Sequence, residues 1–241
     1  MNSWKLCSLL FETSSNYESN LQSLLSCINT APQKSLIVAP EVCLTGFDYD
    51  NFEDVNNFAS YAIEEIKKVS TNKIIILTII ENRNGKVYNM AKVFYNAKVV
   101  YERAKARLFS FGCEDKFFSE GDDSEFKIIE IDGMKIAIIV CFELRFKDMW
   151  KMCEGADIIA TPSWWGVLRS EHFKAFTKTL AIMNQCYVVA SDSLNVECSK
   201  MSAIITPMGK VQRNGNAPCL EVPYEPKEIL KMRRYMDVGI R

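Results

Sequence analysis

The chain has 241 residues, enough for one large domain or two small ones, and is 48% hydrophobic and 24% charged. That balance supports a sizeable buried core and excludes a disordered chain. A formal net charge of -1 leaves no basic surplus to neutralise phosphates, which excludes nucleic acid as an electrostatically bound partner.

In chain order, helical spacing predicts a helix over residues 17–28, then a buried strand Leu36-Ile-Val-Ala that stops at Pro40. A second helix is expected over 55–69 and a second buried strand from Ile74. Tyr88 to Phe94 turns near Asn96-Ala97 and returns through Val99 to Tyr101. Phe126 to Ile131 turns at Asp132-Gly133, a strong hairpin signal, into Met134 to Val140. A helix over 147–153 follows, then Ile158-Ile-Ala as a strand, a helix over 171–185 and a strand from Tyr187. Residues 202–211 read as a last hairpin and 225–234 as a basic helix. Near-continuous apolar strands mean a sheet covered on both faces, and their mixture with helices and hairpins points to a layered α/β domain. No proline- or glycine-rich linker divides the chain.

The longest apolar runs, such as Ile74 to Ile80, fall well short of the ~20 residues that a membrane helix needs. Met1-Asn-Ser-Trp-Lys lacks the pattern of a secretory signal, so a cytoplasmic protein is expected. Nine scattered cysteines without a CxxC pair suit a reducing compartment. The single histidine, His172, excludes a multi-histidine metal cage and leaves one partner for any Ser-His or Cys-His pair.

Three segments place a reactive side chain at the end of a strand. Glu41 follows the Leu36 strand; Lys105 follows Tyr101-Glu-Arg-Ala; Cys141 follows Ile138-Ile-Val and opens a turn. Taken singly, these also read as a loop acid, a solvated basic surface and an inert buried cysteine. Taken together, their chemistry is consistent. A thiol near its free pKa of about 8.5 is mostly protonated at neutral pH, so it needs a base and a nearby cation. With histidine nearly absent, Glu41 is the available base and Lys105 the available cation. A helical pattern begins immediately after Cys141, and the backbone amide of Phe142 at that helix start can donate to an oxyanion beside Lys105.

In this order and spacing the segments resemble the nitrilase superfamily of amidases, nitrilases and carbamoylases. Ala39-Pro-Glu-Val-Cys-Leu-Thr-Gly46 is similar to its glutamate motif, Lys105-Ala-Arg-Leu-Phe to its lysine motif and Cys141-Phe-Glu-Leu-Arg-Phe146 to its cysteine elbow. Glu114, seven residues before Gly121, is similar to the second glutamate of the family's site; Glu120 is the alternative. The resemblance spans nearly the whole chain as a single domain over residues 1–241. It implies a four-layer α-β-β-α sandwich pairing through its outer helices into a homodimer. It also implies a Cys141 acyl-enzyme with neither metal nor cofactor, and a small-molecule amide as substrate. The segment Thr161-Pro-Ser-Trp164-Trp165 corresponds to a stretch that lines the substrate pocket.

The sequence departs from the family at several positions. Arg107 stands where histidine is common, Phe142 where tyrosine is, Glu143 where aspartate is, and Leu180 and Met183 where arginine and glutamate are. The helix from Phe173 to Gln185 shows few charges for water, which by itself suggests burial at an isologous contact. The bulk of Trp164 and Trp165 favours a small aliphatic amide, such as an ω-amide of a dicarboxylic acid or a carbamoyl compound. Four other readings stand beside it: acyl transfer to an amine, a nitrile hydrolase, a Cys141–His172 thiol enzyme that gives no role to Glu41 or Lys105, and a non-enzymatic binding module.

Overall fold

The computed structural model describes residues 3–215 and 217–240; Met1, Asn2, Asn216 and Arg241 lie outside the described residues, and with them part of the N-terminal segment and the ends of the expected 1–241 domain. Two six-stranded sheets face each other. The first has the order β12-β1-β2-β3-β4-β5, built from Cys219–Pro223 (β12), Lys5–Leu9 (β1), Ser35–Val38 (β2), Lys73–Arg83 (β3), Lys86–Tyr95 (β4) and Lys98–Ala104 (β5). The second has the order β11-β10-β9-β8-β7-β6, built from Val211–Arg213 (β11), Ala203–Ile205 (β10), Tyr187–Ser191 (β9), Ile158–Pro162 (β8), Met134–Ile138 (β7) and Ile129–Ile131 (β6).

Alternation along β2 shows how the layers are stacked. Leu36 and Val38 point inward, and with Ile74, Ile76 and Val93 they pack against Ile138, Ile158, Ala160, Val188 and Ile204 of the facing sheet. Ile37 and Ala39 point outward, onto Leu21, Leu24 and Ile28 of α1 (Tyr17–Thr30) and Ala62 and Ile66 of α2 (Phe52–Val69). A short α3 (Glu114–Phe117) lies beside the site. The outer face of the second sheet is covered by α4 (Lys147–Met152), α5 (Ser170–Asn184) and α6 (Pro226–Tyr235), through Met149, Phe173, Leu180 and Ile229. The architecture is the α-β-β-α sandwich expected from the motifs. Ser8 Oγ donates to the carbonyl of Ala190 and Ser191 Oγ to that of Leu9, both at 2.6 Å, so the apolar interface between the sheets is also hydrogen-bonded.

The first sheet runs β1, β2 and β3 in parallel, and the second runs β7, β8 and β9 in parallel. β5 is antiparallel to β4, which is antiparallel to β3, so β5 ends at the same edge as β2. Strand ends carrying Glu41, Lys105 and Cys141 are thereby gathered at one place.

One expectation is adjusted. The pattern after Cys141 is not an α-helix; residues Cys141–Arg145 form a 3₁₀ turn and α4 starts only at Lys147. α5 buries Phe173, Thr177, Leu180, Ala181 and Asn184 against its own chain, while Ile182 and Met183 on its outer side are 37% and 62% exposed. No helix among the described residues is long and apolar enough to cross a membrane.

Candidate active site

Glu41 sits one turn beyond β2, fully buried, and its position is fixed from several directions. Its backbone amide donates to the Ser163 carbonyl at 3.2 Å. Its Oε1 accepts from Lys105 Nζ and from Asn89 Nδ2, both at 2.8 Å, and its Oε2 accepts from the Trp164 amide at 3.2 Å. The thiol of Cys141 donates to the Trp164 carbonyl at 3.6 Å, on the residue whose amide meets Glu41. The peptide groups of Trp164 therefore touch both acid and thiol.

Lys105 follows the last residue of β5, and its amide donates to the Asn89 carbonyl at 2.8 Å. Its ammonium is fully buried between Glu41 and Glu114, with 2.8 Å to an oxygen of each. Glu114 accepts in addition from the Phe109 amide at 3.1 Å. Glu120 is exposed and lies on a separate groove with Gly121 and Glu125. Gly121 donates to the Lys105 carbonyl at 2.9 Å, and a Cβ there would lie 2.4 Å from the Ala104 carbonyl oxygen. Only glycine allows the chain this close to β5, which explains the spacing between Glu114 and Gly121.

Cys141 is 7% exposed and has a φ of +42°, as does Val42 next to Glu41. Left-handed backbone is costly for residues with a Cβ, most of all for a β-branched one, and such strain clusters at functional sites. Glu143 stabilises the elbow at Cys141. Its carboxylate, fully buried, accepts from the amides of Val140 and Ala106, each at 2.7 Å, and pairs with the buried Arg103 through both guanidinium nitrogens. Glu143 thereby ties the cysteine turn to the segment that carries Lys105.

The charges follow from burial. Desolvation pushes Glu41 above the usual carboxylate range, with Glu114 adding to the rise and Lys105 opposing it. Desolvation pushes Lys105 down, but Glu41 and Glu114 outweigh it and hold the ammonium charged. Burial and the Glu41 charge raise the Cys141 thiol well above its ordinary value, which favours a thiol over a thiolate beside the Glu41 carboxyl group. Such a pair can transfer a proton from sulfur to oxygen as sulfur attacks.

Cys141, Glu114 and Trp164 open onto a cavity of about 440 Å³ also lined by Phe47, Tyr49, Phe109 and Arg169, within the range of small-molecule sites. Phe142 does not face this cavity; its ring packs on Phe109 at 5.0 Å and borders a narrow side cleft with Cys141. Trp165 is buried, with its ring 5.3 Å from Phe173 and its indole N–H donating to the Arg169 carbonyl at 2.8 Å; it too reaches only the side cleft. His172 is exposed and lies 3.1 Å from an Arg145 nitrogen. Among the described residues no group of three or more His, Cys, Asp or Glu side chains converges as a metal site.

Sequence reasoning did not identify Asn89, Asp192 or the Arg103–Glu143 pair. Asn89 had a signal, since asparagine is depleted from strands yet lies inside Tyr88-Asn89-Met90. Asp192 accepts from the Trp165 amide at 2.8 Å and is pushed up to about 6 by burial; a lone acid after a strand gave no sign of this.

With the geometry in place, comparisons with known proteins give the family. The sequence model described as Carbon-nitrogen hydrolase matches residues 6–217. A 2-oxoglutaramate amidase of Bacillus subtilis is 26% identical over 75% of this chain and 73% of that protein. A deaminated glutathione amidase of Escherichia coli O157:H7 is 26% identical over 83% of this chain and 81% of its own length. The crystal structure of a CN-hydrolase superfamily protein from Xanthomonas campestris superposes with a TM-score of 0.84 at 18% identity, covering 98% of this chain and 96% of that one. The chain belongs to the carbon–nitrogen hydrolase family, the nitrilase superfamily of the motif resemblance, as an amidase-type hydrolase of carbon–nitrogen bonds other than peptide bonds.

Proposed function

We propose that the protein hydrolyses a small amide through a thioester on Cys141. Glu41 takes the thiol proton as sulfur bonds to the carbonyl carbon, and the oxyanion is held by the Lys105 ammonium and the Phe142 amide. Collapse of this intermediate breaks the carbon–nitrogen bond, and Glu41 returns its proton to the departing amine or ammonia. Water then attacks the thioester, giving one proton to Glu41, and the acid product leaves as the thiol is restored. Glu114 keeps Lys105 beside Glu41 in this reading. The observation that carries it is the meeting of thiol and acid at one residue: the Trp164 carbonyl takes the Cys141 thiol and its amide meets Glu41, whose other oxygen takes Lys105 and Asn89.

For the substrate, the reading is an ω-amide of a dicarboxylic acid. The relatives named for 2-oxoglutaramate and deaminated glutathione support a compact acidic amide, as does a cavity with aromatic walls. A panel of ω-amides, neutral amides, carbamoyl compounds and nitriles assayed by ammonia release tests this. Release is expected from the ω-amides and none from Cys141→Ala; turnover of nitriles alone, or full activity in the alanine variant, would refute it.

A further inference from the structure

Lys105 gives two of its three N–H groups to the glutamates and keeps the third for the oxyanion, so the cations left to border the clefts beside Cys141 are Arg169, which lines both, and Arg145, which lines the side cleft. Among the described residues neither makes an ion pair within 4.0 Å, whereas Arg83, Arg103, Arg107 and Arg233 all do. Glu114 is held by Lys105, and Glu197, the other acid at the cavity, stands beyond ion-pair distance of both arginines.

Both guanidinium groups are held in place by packing. Arg169 lies over the Phe109 ring at 5.1 Å and against Gly166, where a Cβ would come within 2.7 Å of its Nη2. Its backbone is fixed by the Trp165 indole on its carbonyl and by its own amide on the Gly166 carbonyl at 3.0 Å. Arg145 lies over the rings of Trp165 and Phe176 at 5.0 and 5.4 Å, with His172 at 3.1 Å. Burial and the charge of Arg169 pull Arg145 below its ordinary value, so the two cations oppose each other. Two immobilised, unpaired and mutually repelling guanidinium groups beside a nucleophile form a receptor for an anion, and their planar forks match a carboxylate.

We propose that Arg169, backed by Arg145, receives a carboxylate carried by the substrate at the end remote from the scissile amide, and that this contact selects amides of dicarboxylic acids over neutral amides of equal length. The proposal rests on the reading of Cys141 as nucleophile, and its test separates the two. Arg169 is a specificity residue here; the proton transfers remain with Glu41.

The experiment compares kcat/KM for glutaramate and for neutral pentanamide. The intact enzyme should prefer glutaramate by about a hundredfold, the value of one charge-assisted contact. Arg169→Gln should bring the ratio near one, chiefly through KM for glutaramate, and Arg169→Lys should restore part of it. A ratio unchanged in Arg169→Gln, with both substrates slowed alike, would overturn the proposal. Calorimetry on Cys141→Ala supplies an arm that needs no turnover: glutarate should bind, and Arg169→Gln added to that variant should abolish binding. Glutarate binding that depends on Arg169, without ammonia from either amide, would support the anion site and refute the hydrolase reading. Ammonia from both amides at equal efficiency, without glutarate binding, would refute the anion site alone.

Discussion

Glu41 has its charged form stabilised by a lysine, an asparagine amide and a backbone N–H, yet burial and Glu114 still raise its pKa. A general base must be charged to act, so kcat/KM should fall as pH drops through the Glu41 pKa, above the free glutamate value of about 4.3. The sign of the Glu114 effect follows. Its negative charge favours protonation of Glu41, so Glu114→Gln should lower the Glu41 pKa and move the acid limb of the profile to lower pH. A pH–rate profile checks this; a limb that stays in place would show that Glu114 does not act on the base. At this scale the sequence was readable wherever a side chain carries chemistry by type, as with Glu41, Lys105 and Cys141. It was silent where chemistry depends on which backbone group meets which side chain, as with the Trp164 amide on Glu41 or the Phe109 amide on Glu114.

Elements built on local periodicity were legible: α1, α2 and α5 lie within a few residues of their expected spans, and the Asp132-Gly133 hairpin turns with both residues at positive φ. β1 and β12 were not. Ser8 interrupts the first apolar run, and β12 is an edge strand ending at Pro223, with little burial to mark it. β3 and β4 also run longer than the short buried segments suggested, because they continue past the buried part of the sheet as one antiparallel hairpin that turns at Asn84-Gly85, both at positive φ. The Arg103–Glu143 pair joins β5 to the cysteine turn and makes a prediction at this scale. Arg103→Met leaves a buried carboxylate unpaired and should cost ~3–5 kcal/mol in denaturant unfolding. Arg103→Met combined with Glu143→Leu should regain most of that stability while activity stays low, because the amides of Val140 and Ala106 lose the carboxylate that fixes them. Activity returning together with stability would show that the pair serves folding alone.

Across the whole molecule the site exists only because two sheets face each other with their strand ends at one edge. Glu41, Asn89 and Lys105 come from the first sheet, Cys141 and the Trp164 peptide from the second. No single segment holds acid, cation and thiol, so the sequence could imply their meeting through the family resemblance but not the pairing of strands that produces it. The central claim is that this meeting makes Cys141 the acyl acceptor. Rapid-quench mass spectrometry of the enzyme during turnover of an ω-amide, followed by peptide mapping, tests it most directly. The account predicts a mass increase equal to the acyl group, confined to the peptide bearing Cys141 and absent from Cys141→Ala. An acyl group on another cysteine, or steady turnover with no adduct in either protein, would contradict it.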